Sequence, residues 1–407
     1  MSKGGFSMKD LEELREEIDA IDKQMVALFE KRIEAVLQVA EYKSKNSIPI
    51  LNAEREKQVI EKNIASLKNK KFSNATENFF KAIMSISRDL EAKDMWQDNN
   101  VKKKSYVKGL RYEVKENIAN EAENSQITVG FQGVSGSFSE EALNNYFGEK
   151  VYTYNFNHFE EVFKALKEGK IKYGILPVEN SSTGSISEVY DLLHKYGLYI
   201  VAEKCIKISQ HLVAMQGAKL EDIEEVYSHP QAFEQSSVFF KDYPEWKLIP
   251  YYNTAISAKM VSDRKNKNIA AVASERAAQL YDLNVIKRDI NYNNSNYTRF
   301  IIVGKELEIE KDSDKISIVI SMPHKSGALY SILRNFSESN LNMLMIQSRP
   351  IEGKPWDYLF YIDFEGNITE NRIMDAVEGI EEKSTYFRLL GNYKSDSFID
   401  INIEKRG

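Results

Sequence analysis

The sequence has little of what several protein classes require. Its 407 residues include one cysteine, Cys205, which excludes an intrachain disulfide framework and a multi-cysteine zinc site and fits a reducing cytosol. No stretch approaches the ~18 apolar residues of a membrane span. The N-terminus, MSKGGFSMKDLEELREEID, turns acidic and amphipathic where a secretory signal needs an apolar core. Fifty-five Lys and Arg stand against 61 Asp and Glu, for a net charge of −6 with the signs interspersed, so no basic footprint points to nucleic acid. A soluble, cytoplasmic chain of two or three domains is expected at ~150 residues each. Its 42% hydrophobic content is enough for sizeable cores.

What is present begins with a pattern free of glycine and proline, from Asp10 to about Asn46. Leu11, Leu14, Ile18, Ile21, Met25 and Leu28 recur at alternating spacings of three and four, predicting a helix packed along one seam. At ~1.5 Å per residue it reaches roughly 55 Å, more than a small domain covers, so a second long helix from another subunit is expected. The seam then meets Arg32, Val36, Val39 and Lys43. Burying an unpaired cation is costly, so the two cations either protrude into water or face a small dianion in a bundle pocket. Pro49 breaks the chain after Ile48. Asn52 supplies cap chemistry for a second helix with Arg55 and Glu56 in its first turn. A third helix carries Phe79, Phe80, Ile83, Met84, Ile86 and Leu90. Ser87 and Glu91 share one of its faces, as site groups or as plain polar surface.

Residues 9–95, through LREEIDAID, EKR, Lys43, AERE and ISRDLE, resemble the all-helical chorismate mutase domain. That family forms an intertwined dimer enclosing chorismate with basic side chains from both subunits. The resemblance implies that Arg15, Arg32, Lys43 and Arg55 hold the two carboxylates and the ether oxygen. It also implies that Glu56 accepts the substrate hydroxyl and that Ser87 supports a carboxylate. A pericyclic rearrangement needs a folded conformer and charge stabilisation, not an acid or nucleophile. Two positions depart from the family pattern: Asn52 replaces an Asp, and Glu91 replaces a Gln that donates to the ether oxygen. A Glu donates only when protonated, so mutase activity is expected to weaken as pH rises through the Glu91 titration.

Residues 96–126 are polar and weakly periodic and read as a linker. From Ile127, short β-rich runs alternate with helical ones, implying a mostly parallel sheet flanked by helices. The turn from Gly130 to Glu140 follows a strand and opens a helix, so its amides suit an anion. It lacks a dinucleotide fingerprint and the Lys of a phosphate loop. PVENSSTGS (177–185) is a second polar turn and SHPQA (228–232) a third, in which His229 reads as a turn residue. In NYNNSNYTRFIIV (291–303), Thr298 and Arg299 stand at the mouth of a strand as donors suited to an anionic substrate. Polar loops at strand ends describe a cleft of the kind open α/β sheets use for ligands.

Together GxxGSFSEEA, GILPVENSSTGS, SHPQA and NYTRF resemble prephenate dehydratase over residues 127–303. The family has a two-lobed α/β fold like a periplasmic binding protein, with the active site between the lobes. The resemblance implies that Thr298 assists departure of the ring hydroxyl as the ring carboxylate leaves as CO2, with Asn180, Ser181, Thr183, Arg299 and Phe300 holding the substrate. Aromatisation drives the step, so no cofactor or metal is expected. A Thr is a poor acid, and its role is hydrogen-bond donation to the leaving oxygen.

After the charged link 305–314, the order βαββαβ predicts a ferredoxin-like α+β domain over residues 315–400. GALY (327–330) and QSRP (347–350) resemble segments of the ACT regulatory domain. The resemblance implies that Gly327, Ala328, Leu329, Gln347, Ser348, Arg349 and Pro350 bind phenylalanine at a subunit interface, with Gln347 where the family usually has Glu. The leading expectation is thus a bifunctional enzyme acting on chorismate and prephenate, inhibited by L-phenylalanine, without nucleic-acid or membrane partners, as a homodimer or homotetramer. Two alternatives stand beside it: a dehydratase whose helices serve only dimerisation, and an intracellular binding or sensor protein. The donor pair at Thr298–Arg299 argues against the last, because a pure receptor has no need of it.

Overall fold

The computed structural model describes residues 11–46, 48, 52–98, 105–119, 127–293, 295–351, 353–354 and 356–396. Two compact units divide the chain, Met1–Lys104 and Ser105–Gly407. The break at Pro49, part of the expected linker (99–104 and 120–126) and the limit at residue 400 lie outside the described residues.

Three helices make the first unit: α1 (Leu11–Lys45), α2 (Ala53–Ala65) and α3 (Ser73–Asp98). Glu12 and Glu13 in the first turn of α1, and Lys43 and Lys45 in its last, complement the helix dipole. Asn52 caps α2, its Oδ1 accepting the Arg55 N–H at 3.0 Å. α1 and α2 both pack on α3. Even so, Ala40 and Met84 are the only buried apolar side chains among the described residues of this unit. The predicted seam of α1 is exposed from Leu11 through Leu28.

The second unit starts with a correction. Residues 105–119, expected to be linker, dock onto the unit that follows. Val107 and Ile118 are buried, and β1 (Glu113–Lys115) pairs in parallel with a strand at 308–310. The Glu381 carboxylate accepts the Tyr106 and Val107 N–H groups. Isolated apolar residues on either side of a three-residue strand leave no period to read, which is why the composition reads as a linker.

Two α/β lobes follow. The first holds β2 (Thr128–Gln132), α4 (Phe138–Phe147), β3 (Tyr152–Phe156), α5 (Phe159–Lys167), β4 (Tyr173–Asn180), β5 (Gly184–Ser185), α6 (Ser187–Tyr196) and β6 (Tyr199–Lys207). The chain then crosses into the second lobe. That lobe contains β7 (His211–Ala214), β8 (Glu225–Ser228), α7 (Pro230–Gln235), α8 (Ser237–Phe240), β9 (Lys247–Pro250), α9 (Thr254–Arg264), β10 (Ile269–Ala273), α10 (Glu275–Leu280) and β11 (Asn284–Lys287). It returns as β12 (Tyr297–Gly304), which inserts antiparallel between β6 and β4, and continues into β13 (Glu308–Glu310). The second lobe has strand order β11-β7-β10-β8-β9. The sheets are mixed and not mostly parallel as expected: β10 pairs parallel with β8 and antiparallel with β7, and β12 runs antiparallel to both its neighbours because the chain returns to the first lobe from the second. The apolar run Ile269–Ala273 is wholly buried as a central strand. This is the two-lobed arrangement expected for residues 127–303.

The remaining elements run βαββαβ: β14 (Lys315–Ser321), α11 (Ala328–Glu338), β15 (Met343–Pro350), β16 (Tyr358–Glu365), α12 (Asn371–Lys383) and β17 (Tyr386–Tyr393). Their strands extend the first lobe's sheet into one path, β15-β16-β14-β17-β6-β12-β4-β2-β3. The junction is a parallel bridge between Gly391 and Ile200. A Cβ at Gly391 would lie 2.1 Å from the Ile200 carbonyl oxygen, so only glycine lets the two backbones meet. One apolar core draws Val189, Leu193 and Ile200 from the lobe and Val319, Tyr361 and Leu390 from the C-terminal segment.

Candidate active sites

The first candidate site lies where β4 ends and β12 begins, the edge at which the chain passes between lobes. Thr298 and Asn180 are register partners on these antiparallel neighbours, and both are buried. Asn180 is oriented by its acceptors and donors together. Its Oδ1 takes the Ser182 and Thr183 N–H groups, each at 3.0 Å, and the Thr183 hydroxyl at 3.2 Å. That forces Nδ2 toward Thr298 Oγ1 (2.9 Å) and Asn296 Oδ1 (2.8 Å). Thr298 therefore accepts from Asn180 and keeps its own hydroxyl proton to donate elsewhere. Ser181 Oγ accepts the Tyr297 N–H at 2.9 Å and donates to the Ser295 carbonyl at 3.1 Å, so it serves the shape of the loop.

Two members of the predicted set lie elsewhere. Successive side chains on a strand point to opposite faces, and Arg299 is turned away from the Asn180–Thr298 pair into buried surroundings. Its guanidinium meets Asp363 Oδ2 at 2.9 Å, Glu203 Oε2 at 3.3 Å, Tyr190 Oη at 2.9 Å and Glu179 Oε2 at 3.3 Å. Burial alone would lower its basicity. Asp363, Tyr190 and Glu203 outweigh that and hold it well above the usual arginine value. Phe300 is a core residue, packed with Val129, Phe131 and Ile175. Three adjacent letters of sequence thus go to three different environments.

The other polar turns are structural. Gly136 donates its N–H to Glu140, and Ser137 caps α4. The backbone oxygens of Ser135 and Gly136 accept from the Tyr281 and Ser274 hydroxyls of the second lobe. Gly136 has φ +86°, and a Cβ there would press on Ala277 at 3.2 Å, so this turn is an interlobe contact rather than an anion cradle. Ser228 Oγ donates to the Val272 carbonyl, and His229 caps α7 through Nδ1. Sequence reasoning missed Asn296, two residues before Thr298 and on the same face of the chain; period-two alternation could have found it. Asn296 Nδ2, Gln210 Oε1 and Ser236 Oγ are buried without a hydrogen-bond partner among the described residues.

In the helical unit, α1 and α3 bring four predicted residues together. Arg32 Nη1 donates to Ser87 Oγ at 2.5 Å, and Lys43 Nζ lies 2.8 Å from Glu91 Oε2. Ser87 and Glu91 are buried, one helical turn apart. Burial lowers the Arg32 pKa below its usual value, and attraction to Glu91 opposes this. Glu56 is paired instead with Arg88, a residue the sequence did not single out. Arg15 and Arg55 are exposed, as is the capping Asn52. Seventeen positions separate Arg15 from Arg32 on one helix, about 25 Å at ~1.5 Å per residue, so these two cannot share a small ligand within one chain.

In the C-terminal segment, Gly327 adopts φ +82° as the N-cap of α11, with Ala328 and Leu329 following. On β15, Gln347 and Arg349 face inward while Ser348 and Pro350 are exposed. The Gln347 Oε1 is buried without a partner among the described residues. Arg349 forks onto Asp191 of α6, at 2.5 and 3.3 Å. β16 separates β15 from β14, the strand leading to Gly327.

Comparison with known proteins agrees with this division. Residues 14–92 match the model of chorismate mutase type II, and residues 129–308 that of prephenate dehydratase. A bifunctional chorismate mutase/prephenate dehydratase of Buchnera aphidicola subsp. Schizaphis graminum is 32% identical over 405 residues, covering 97% of this chain and 99% of that protein. Among solved structures, prephenate dehydratase of Arthrobacter aurescens in complex with L-Phe is 29% identical, with a TM-score of 0.61, over 66% of this chain and 90% of that one. A structure described as a novel type of quorum-quenching acylase is 26% identical, with a TM-score of 0.62, over 67% and 99%.

Proposed function

We propose, since this chain belongs to the bifunctional chorismate mutase/prephenate dehydratase family, how its two enzymatic activities are laid out. The helical unit rearranges chorismate to prephenate, and the cleft around Thr298 converts prephenate to phenylpyruvate. The observation that carries the second assignment is the Asn180-to-Thr298 hydrogen bond. It leaves the threonine proton pointing to a partner outside the loop. In the reaction the bond from the ring to its carboxylate breaks and releases CO2. That electron pair aromatises the ring, and hydroxide leaves from the opposite carbon. A donor already aimed at the departing oxygen stabilises the charge that develops there. Asn180, Ser181 and Thr183 keep this donor in place.

The mutase site is completed by a second copy of the chain. The exposed stripe of α1 supports this, as does the distance of Arg15 from Arg32 and Lys43: a partner's helix running antiparallel brings the two ends together. Arg32, Lys43 and the partner copy's Arg15 then hold the two carboxylates and the ether oxygen while the substrate folds. Arg55, Glu56 and Ser87 stay assigned to the substrate's periphery.

The C-terminal βαββαβ segment is assigned as a ferredoxin-like ACT domain that binds L-phenylalanine and inhibits the dehydratase. The L-Phe complex of the Arthrobacter protein supports this, and so do the exposed apolar residues Leu329, Tyr330, Leu344 and Ile346. Gly327–Leu329 and Gln347–Pro350 belong to elements two strands apart, on the order of 10 Å at ~4.8 Å per strand. A phenylalanine held between them therefore sits between copies of the domain.

The test supplies chorismate and follows chorismate, prephenate and phenylpyruvate together, with and without phenylalanine. Phenylpyruvate should appear from chorismate and fall when phenylalanine is added. Chorismate left untouched while added prephenate is consumed would reduce the helices to a dimerisation element. In Thr298→Ala, phenylpyruvate formation should drop by roughly 10²–10³, the usual effect of losing one preorganised donor, with prephenate still bound. Near-normal turnover would refute the assignment of Thr298.

A further inference from the structure

We propose that Arg299 is a positioning residue of the dehydratase and not a ligand of its substrate. It anchors the Thr298 strand to the C-terminal segment through Asp363, so that the state of that segment sets the geometry of the cleft. The coupling to phenylalanine rests on the assignment of that effector made above; the anchoring does not.

The argument starts from register. Thr298 lies opposite Asn180 and Arg299 opposite Glu179, consecutive pairs on β12 and β4 whose side chains leave by opposite faces. Arg299 cannot shift without taking the Thr298 backbone with it. Its donors are already in use: Nη1 on Asp363 and Glu203, Nη2 on the Tyr190 hydroxyl, Nε on Glu179. A planar fork so engaged has no bidentate face left for a substrate carboxylate.

The partners of Arg299 are themselves tied to the C-terminal segment. Asp363 stands on β16, and its other oxygen accepts the Ser317 hydroxyl at 2.6 Å; Ser317 meets the Tyr393 hydroxyl at 2.8 Å. Glu203 on β6 takes Lys315 Nζ of β14 at 2.8 Å. Two buried cations, Arg299 and Lys315, are thus matched by two buried carboxylates, Glu203 and Asp363, with the more exposed Glu179 at the rim. Removing any one member leaves a buried charge unmatched, so the cluster holds or reorganises as a whole.

A second tie reaches the same guanidinium. Arg349, in the strand assigned to the effector, grips Asp191. The residue before it, Tyr190, accepts from Arg299, and the Tyr190 carbonyl accepts the Tyr361 hydroxyl at 3.1 Å. A displacement of β15 therefore pulls on α6, and α6 pulls on Arg299. These contacts form a continuous physical route, and a double-mutant cycle can test whether it carries coupling.

The experiment uses full-length Arg299→Lys, Asp363→Asn and the double variant, with Tyr190→Phe as a milder change that removes one hydroxyl. Near-ultraviolet circular dichroism checks that each is folded. With prephenate as substrate, Arg299→Lys is expected to lower kcat roughly tenfold or more while KM stays within about twofold. The double variant should be no slower than the slower single, the mark of one shared interaction. A KM raised about tenfold with kcat kept would make Arg299 a substrate ligand and overturn the proposal, as would additive losses in the double variant. In Tyr190→Phe and Asp363→Asn, the phenylalanine concentration giving half inhibition should rise several-fold, while equilibrium dialysis still detects bound phenylalanine. Inhibition unchanged in both would overturn the coupling. A parent protein that neither binds nor responds to phenylalanine would remove the effector assignment instead, and the split between kcat and KM would then decide the anchoring alone.

Discussion

Ile18, Ile21 and Leu28 of α1 are each about half exposed or more, whereas Val129, Ile175 and Val303 of β2, β4 and β12 are wholly buried. The stripe of α1 is legible from its three-four spacing, and the strands as short apolar runs. The difference lies in what covers them. The strands are closed over by helices of their own unit, and the stripe of α1 is covered by nothing among the described residues of its own. Burying a residue of this kind is worth about 1.5–3 kcal/mol. Six along one seam, each only about half exposed to begin with, amount to roughly 5–9 kcal/mol, within the range of the whole stability of a small domain. That exposed stripe is the surface which the proposed pairing of α1 with a second copy would cover.

The strongest way to break this comparison is a charge in the stripe. Ile21→Asp should abolish association through α1 and lower mutase turnover by more than about 100-fold, since a buried unpaired carboxylate is not tolerated at such an interface. The same variant should leave prephenate turnover within about twofold, because Asn180, Thr183 and Asn296, the groups that orient Thr298, all lie in the second unit. Sedimentation together with both assays reads the outcome. Mutase activity surviving in a monomer would mean that one chain suffices.

A smaller effect sharpens the helical side. Glu91 is buried beside Lys43 on the face that also holds Arg32 and Ser87. A glutamate there must carry a proton to donate to an ether oxygen, and a glutamine donates at every pH. Glu91→Gln, which offers a donor without having to carry a proton, should raise mutase turnover several-fold. Unchanged turnover would show that Glu91 only fixes Lys43.

How much of this could be read in advance depended on how far each signal reaches along the chain. The thirty-five residues of α1, the alternation of strand and helix from Ile127, and the βαββαβ order repeat over many positions and were legible. Asn180 and Thr298 were legible as well, since each lies in a dense polar motif. Arg299 leaves the strand on the face opposite Thr298, because strand alternation splits a motif that is contiguous in sequence. Glu179, Glu203 and Asp363 gave no sign of converging on Arg299. Their sequence separations reach 64 to 120 residues and only the topology joins them. The docking of 105–119 was invisible for the same reason: Val107 and Ile118 find their neighbours near residues 307–309 and 127–147. Arg55 and Asn52 are exposed within one chain, Asn52 serving as the cap of α2.

The smallest effect concerns pH, and it belongs to one side of the comparison only. All five histidines of the chain, from His158 to His324, lie in the second unit. His211 is buried at the start of β7, and its Nδ1 accepts the Asp289 N–H at 2.9 Å. Burial lowers its pKa below the usual histidine value, against the attraction of Asp289. His194 is lowered too, by burial and by Arg388. Above about pH 6.5 both are neutral folded or unfolded, and they contribute no slope. Below it the unfolded chain takes up protons first, so it binds more than the folded chain and stability rises with pH across this window. The midpoint of the second unit's thermal unfolding should therefore fall by a few degrees as pH drops from about 6.5 to 5. His211→Asn offers an oxygen to the Asp289 N–H and no proton to take up, so its fall should be shallower, while the helical unit, without a histidine, should hardly respond. An equal slope in parent and variant would move the pH response away from His211, leaving His194 as the group to change next.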